Sequence, residues 1–158
     1  MLPDTVGRPM EILLVEDDLL HARLALEAVS RGEFRHRTTL VLNGQEALDF
    51  LFRRGIFHRA PRPDLILLDL RLPKIDGLDV LAEIKADQEL KSVPVVIMSS
   101  SQDEQDRLAC EHDEVEAYLT KPLDLEKFLS LLKQLKRFWQ ADMILPRAVT
   151  QLYLLGSR

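Results

Sequence analysis

The sequence predicts a doubly wound α/β domain with a five-stranded parallel sheet flanked by five helices, and three observations carry that reading. Short runs of β-forming residues alternate with segments of helical periodicity five times along the chain. The connections between them are short, as crossovers that cover both faces of a parallel sheet require. The run Asp64-Leu65-Ile66-Leu67-Leu68-Asp69 is apolar on both alternating faces, the mark of a strand buried on both sides.

Residues 11–15 form the first predicted strand, closed by the acidic loop Glu16-Asp17-Asp18. Leu20, Leu24 and Ala28 then mark the inner face of a helix over residues 19–30. Residues 38–42 are the second strand, Asn43-Gly44 a turn or N-cap, and Ala47, Leu48, Leu51 and Phe52 the inner face of the second helix. Residues 55–63 make a proline-punctuated connection, longer than most in α/β units and a candidate carrier of partner specificity. The third strand ends on Asp69, after which Pro73 and Asp76-Gly77 turn the chain into a helix over 78–85, with Leu78, Leu81 and Ile84 inward. Residues 93–98 are the fourth strand, before Ser99-Ser100-Ser101, and a polar helix over 103–112 follows with Leu108 inward. A short fifth strand over 116–119 leads through Thr120-Lys121-Pro122 into a closing helix over 123–140. Residues 1–10 are read as a tail, 11–140 as the domain and 141–158 as an extension, whose final Gly156-Ser157-Arg158 resembles a cloning scar.

Composition narrows the function. A chain of 158 residues, 46% hydrophobic and 30% charged, has room for one core. A net charge of -5 with scattered Lys and Arg argues against a nucleic-acid surface, and pairs such as Arg35 with Arg37 read as solvated. No apolar run is long enough to span a bilayer and residues 1–10 lack a secretion signal's apolar core, so a soluble, cytoplasmic protein is expected. A lone cysteine, Cys110, excludes an internal disulfide.

Parallel strands would gather Glu16 and Asp17, Asp69, Ser99 and Lys121 at one carboxyl edge, where doubly wound proteins place their chemistry. Converging carboxylates raise one another's pKa unless a cation neutralises them, and an oxygen-only set suits Mg²⁺ with room left for phosphate oxygens. A carboxylate can be the nucleophile of phosphoryl transfer, with Lys121 and the Ser99 hydroxyl steadying the oxygens; the product would be an aspartyl phosphate on Asp69. Each residue alone has a plainer reading: Glu16-Asp17 as a favoured helix N-terminus, Ser99 as a cap, Lys121 as a solvated charge. Their joint placement at four strand ends favours the functional one. His21, His36, His58 and His112 share no ligand spacing and read as surface residues.

Leu14-Val15-Glu16-Asp17-Asp18, the Asp64 to Asp69 run with Leu72-Pro73 and Asp76-Gly77, Ser99 and Tyr118-Leu119-Thr120-Lys121-Pro122 resemble the receiver domain of two-component response regulators. The resemblance implies a flavodoxin-like sheet of order 2-1-3-4-5, Asp69 as phosphoacceptor, Glu16, Asp17, Asp69 and the Arg71 backbone carbonyl as the Mg²⁺ site, Ser99 and Tyr118 as the switch pair, and Lys121 as the phosphate-binding lysine. It also implies a sensor histidine kinase as donor and a signalling protein rather than an enzyme, its chemistry limited to self-phosphorylation and autodephosphorylation. The 55–63 connection and the ending Phe138-Trp139 with Leu145-Pro146 resemble the single-domain regulators paired with cyanobacterial phytochromes. A departure is Glu114-Val115, where the family carries Gly-Ala; the lost backbone freedom bears on the ease of the switch. Two other readings stand beside it. A phosphatase of the haloacid dehalogenase type wants a second Asp two residues after the nucleophile, where Arg71 stands, and an unphosphorylated receiver-like module usually lacks one of the acidic, acceptor or lysine positions, all present here. A dinucleotide site fails for want of a glycine-rich loop after the first strand.

With no output domain after Gln140, the signal is expected to leave through a protein surface to an unnamed downstream partner. On the closing helix, Leu125, Phe128, Leu129, Leu132 and Trp139 form the stripe expected on the sheet, while Leu131, Leu135 and Phe138 widen it. With Met143-Ile144-Leu145 and Leu152-Tyr153-Leu154-Leu155 this apolar surface predicts a two-fold homodimer through the last helix, or a tail folded back over the same flank.

Overall fold

The structure, a computed structural model, describes residues 9–32, 35–99, 115–121 and 124–134. Its strands are β1 (Met10–Val15), β2 (His36–Val41), β3 (Leu65–Asp69), β4 (Val95–Ser99) and β5 (Ala117–Thr120). They form one sheet of order β2-β1-β3-β4-β5, parallel throughout. This is the doubly wound arrangement and the strand order expected. The described helices are α1 (Leu19–Ser30), α2 (Gly44–Leu51), α3 (Gly77–Ala86) and α4 (Leu125–Gln134), the last being the closing helix, and Gly55–Phe57 is a single 3-10 turn. The helix expected over 103–112 lies outside the described residues.

Period-two alternation splits the core into one cluster on each face of the sheet. On one face Leu13, Val15, Ile66, Leu68, Val95 and Ile97 meet α2 and α3. On the other Ile12, Leu14, Leu65, Leu67, Val96 and Met98 meet Ala22, Ala25 and Val29 of α1 and Phe128 of α4. The residues of β1, β3 and β4 are all buried, which is why these strands carry no polar alternation.

The inward faces of all four described helices differ from the expected ones; on α2 Ala47, Leu48 and Leu51 are buried as expected, but Phe50 joins them and Phe52 is only partly covered. On α1 the sheet is met by Ala22, Ala25, Ala28 and Val29, whereas Leu20 and Leu24 are 64% and 38% exposed, so of the expected set only Ala28 points inward. Small side chains at that spacing let the helix axis approach the sheet closely, and the leucines, one position round, are carried to the outside. On α3 Leu81 and Ile84 are buried as expected, but Val80 joins them and Leu78 is only partly covered. On α4 Phe128 and Leu131 are buried with Leu129 packed beside them, so Leu131 belongs to the core and not to a free flank. Leu135, Phe138 and Trp139, and the tail beyond them, lie outside the described residues.

Local chemistry fixes the helix ends. Asn43 caps α2: its Oδ1 accepts from the Glu46 amide at 2.8 Å, while the Glu46 carboxylate accepts from the Leu42 amide at 2.8 Å. At the other end Arg53 takes φ 56°, a left-handed position that usually holds glycine, and the Arg54 amide reaches back to the Asp49 carbonyl at 2.8 Å. The Arg53 side chain then ties the long connection down through the Ala60 carbonyl at 3.0 Å, and Phe57 packs edge-on to Phe50 with centroids 5.5 Å apart. At the amino edge of the sheet Arg37 is not simply solvated: it pairs with the nearly buried Glu11 carboxylate, and Asp64 binds the Glu11 backbone in both directions, 2.7 and 2.8 Å.

His36, at the start of β2, is half-buried rather than a surface residue, and burial holds its pKa below the ordinary 6.5. A base that is harder to protonate when folded contributes stability that is complete above 6.5 and is lost as pH falls below it through the depressed value. Chemical denaturation of wild type and His36→Gln across that window should show wild-type stability falling relative to the variant as the pH drops. A difference that does not change with pH would contradict the assignment.

Candidate functional site: the carboxyl edge of the sheet

Four strand ends meet here. Val15 of β1 lies opposite Leu68 of β3, Asp69 opposite Met98 of β4, and Ser99 opposite Thr120 of β5. The next residues out, Glu16 and Lys121, therefore flank Asp69 from either side. By alternation Glu16, Asp69 and Lys121 share the face covered by α1 and α4.

Glu16 is 1% and Asp69 4% exposed, deep enough that neither carboxylate is left to water. The Lys121 ammonium joins them: it pairs with Glu16 Oε1 and stands 3.2 Å from Asp69 Oδ2. Glu16 Oε2 accepts from the Asp18 amide at 3.0 Å, and Asp69 Oδ1 accepts from the Arg71 amide at 3.2 Å. Burial pushes the Glu16 pKa up, and the hydrogen bond from Lys121 opposes that shift while the neighbouring Asp69 charge adds to it. Beyond that backbone bond, the Asp18 carboxylate takes no part in this cluster. It caps α1, accepting from the Leu20 and His21 amides at 2.9 and 3.1 Å, and the His21 amide bond, foremost among these contacts, keeps its carboxyl below the usual range.

The exposed Asp17 completes an oxygen set. Glu16, Asp17 and Asp69 each offer a carboxylate oxygen, and these atoms lie within 4.8 Å of one another. Hard oxygens at that spacing fit a small divalent cation, which would offset their negative charge beside the Lys121 ammonium. Arg71 is fixed beside the set through its amide.

The site depends on how β3 is stopped. Lys74 adopts φ 69°, turning the loop back, and the Gly77 amide then donates to the Leu70 carbonyl at 3.0 Å. A Cβ on Gly77 would stand 2.4 Å from the Asp69 carbonyl oxygen and 2.5 Å from Leu70 Cα, so the start of α3 lies directly on the backbone that carries Asp69. Gly44 plays the same part for α2, where a Cβ would meet the Ile75 carbonyl oxygen at 1.9 Å.

The family model of the response regulator receiver domain matches residues 12–133 of this chain. The chain belongs to that family. Response regulator Rcp1 of Synechocystis sp. is 39% identical over 147 residues, covering 93% of this receiver and 100% of Rcp1. The crystal structure of the phosphorylated cyanobacterial phytochrome response regulator RcpA is 41% identical with a TM-score of 0.71, covering 87% of this chain and 99% of that one. The bacteriophytochrome response regulator RtBRR is 35% identical with a TM-score of 0.75, covering 94% and 92%. Rcp1 has also been solved with Mn²⁺ bound, at 40% identity and a TM-score of 0.70 over 87% of this chain and 99% of that one. Among the described residues of this receiver no helix is long and apolar enough to cross a membrane.

Of the residues singled out in the sequence, the structure brings Glu16, Asp17, Asp69 and Lys121 together. Ser99 is fully buried at the end of β4, its carbonyl accepting from the Lys121 amide at 2.9 Å. Tyr118 sits opposite Ile97 and packs, partly buried, against the α2/α3 cluster, so alternation places it on the same side of the sheet as Ser99. Of the departure before β5, Glu114 lies outside the described residues and Val115 packs against that same cluster. One residue was missed. His21 is not a bystander: its Nδ1 lies 3.2 Å from the Lys121 ammonium. The signal available was its place four residues after Asp17, one helical turn into α1.

Gly77→Ala should force Asp69 and Leu70 aside, with a loss of stability on the order of 1–3 kcal/mol, the usual cost of overpacking. Urea unfolding measures it. A variant as stable as wild type would show that the α3 start does not press on the Asp69 backbone.

Proposed function

We propose that this receiver is the phosphoacceptor of a two-component phosphorelay, taking a phosphoryl group from a histidine of a sensor kinase onto Asp69 with Mg²⁺. The observation that carries this is the buried convergence of Asp69, Glu16 and Lys121, with Asp17 completing the oxygen set. In the transfer an Asp69 carboxylate oxygen attacks phosphorus. A P–O bond forms as the P–N bond of the phosphohistidine breaks, and the imidazole leaves with the electron pair. Mg²⁺, when bound by Glu16, Asp17, Asp69 and the Arg71 carbonyl, would neutralise charge on these carboxylates and on the phosphoryl oxygens. Lys121, already at Asp69, turns an N–H to a phosphoryl oxygen and so compensates the charge that arrives. Water later cleaves the acyl phosphate and restores the carboxylate.

The Ser99 hydroxyl reports the phosphoryl group rather than attacking it, and Tyr118 follows on the same side of the sheet. The changed surface, that of the fourth helix of the family's fold, β5 and the closing helix, is read by a downstream protein. Similarity to RcpA and RtBRR supports a phytochrome kinase as donor, and a cytoplasmic setting suits it. Leu19 and Leu20, exposed at the start of α1 just after Asp17, give that donor an apolar contact beside the site. Residues 11–140 form the working domain in this reading, with 1–10 and 141–158 as its tail and extension.

Acetyl phosphate should label wild type only when Mg²⁺ is present, Asp69→Asn should take no label, and Ser99→Ala should be labelled but bind its partner equally in both states. Labelling in the presence of a chelator, strong labelling of Asp69→Asn or an unlabelled Ser99→Ala would each remove the corresponding role. A two-fold dimer through the last helix rests on Leu135 and Phe138, since Leu131 is in the core. Sedimentation equilibrium at micromolar concentration should find a dimer that Phe138→Glu dissociates, and a monomeric wild type would refute it.

A further inference from the structure

The Lys121 side chain is 7% exposed, and its ammonium, which has three N–H donors and no acceptor, faces three acceptors: Glu16 Oε1, Asp69 Oδ2 and His21 Nδ1. The last of these is the unusual one. An ammonium can only donate, so the contact at 3.2 Å requires Nδ1 to present its lone pair and the imidazole to carry its proton on Nε2. The Asp18 carboxylate, 3.8 Å from the same Nδ1, is beyond hydrogen-bond range and is occupied with capping α1. The backbone bond from His21 N–H to Asp18 Oδ1 fixes the first turn from which the ring reaches over the site.

Resting on the phosphoacceptor reading, the three acceptors have different fates. Phosphorylation converts an Asp69 carboxylate oxygen to the bridging oxygen of an acyl phosphate, and Glu16 would turn to a bound cation. His21 does neither, because among the described residues the clustered ligand atoms are those of Glu16, Asp17 and Asp69. It is the acceptor that stays with Lys121 through the reaction. A lysine ammonium on its four-carbon stem is otherwise free to rotate and withdraw, and fixing one N–H sets the direction of the other two. We propose that His21 is a positioning residue that holds the Lys121 ammonium toward Asp69 and thereby aids capture of the phosphodonor, without binding the cation or the phosphoryl group itself.

The test uses the full chain with acetyl phosphate at saturating Mg²⁺, so that docking of a kinase on α1 does not enter. His21→Leu keeps bulk and removes the acceptor, while His21→Asn places an amide oxygen near the position of Nδ1. The acetyl phosphate concentration giving half-maximal rate should rise about tenfold in His21→Leu, the scale of one hydrogen bond to a charged group. In His21→Asn it should return to within about threefold of wild type, with Mg²⁺ affinity and melting temperature unchanged in both. His21 is partly exposed, so neither variant threatens the core. An unchanged half-maximal concentration in His21→Leu, or a loss that His21→Asn does not restore, overturns the proposal.

A second readout needs no phosphorylation and so separates this inference from the phosphoacceptor reading. Long-range proton–nitrogen spectra of the metal-free protein at mildly alkaline pH should show His21 as a fixed Nε2–H tautomer, with the Nδ1 resonance moving in Lys121→Met. A mixed tautomer, or an Nδ1 resonance indifferent to Lys121→Met, overturns it even if wild type takes no label.

Discussion

Glu16, Asp69 and Lys121 bring three formal charges to a place closed to water on most sides, and the rest of this edge follows from keeping them together. A buried carboxylate without a partner costs several kcal/mol, and removing one member of a buried ion pair commonly costs 3–5 kcal/mol. Lys121 therefore does structural work: it offsets the repulsion between two adjacent carboxylates. One ammonium serves these two buried carboxylates, with the Asp17 carboxylate beside them. In the proposed reaction a divalent cation would offset both these carboxylates and the negative charge that a phosphoryl group adds, which would tie cation binding to phosphorylation.

The fold keeps the charges in place from two directions. In the plane of the sheet, parallel register sets Glu16 beside the Asp69 end of β3, and the Lys121 side chain reaches both from the end of β5, across β4. Across the sheet, Gly77 and Gly44 let α3 and α2 close against the loop after β3. Alternation then assigns Asp69 and Lys121 to the α1/α4 side of the sheet and Ser99 and Tyr118 to the other.

Much of this was legible in the sequence because strands buried on both faces have no polar alternation to obscure them. Asp69 and Lys121 could be placed from strand ends alone, and the strand order entered with the family resemblance. Faces of helices were less legible. The segment Leu19-Leu20-His21-Ala22-Arg23-Leu24-Ala25-Leu26 carries more than one apolar stripe, and size rather than hydrophobicity decides which faces the sheet: alanines pack close, leucines stay outside. Leu131 was misjudged for a related reason, since on a helix apolar over a wide arc only packing shows where the core ends. For His21 the spacing from Asp17 offers only a weak signal. Its role depends on the Lys121 ammonium, 100 residues away in the chain, reaching the first turn of α1.

Borohydride reduces an acyl phosphate to an alcohol, so it marks the carboxylate that carried the phosphoryl group. Protein treated with acetyl phosphate and Mg²⁺, then reduced and mapped by peptide mass spectrometry, should show the change at Asp69 and at neither Glu16 nor Asp17. Reduction at a different carboxylate, or none in protein that demonstrably carries a phosphoryl group, would contradict the account.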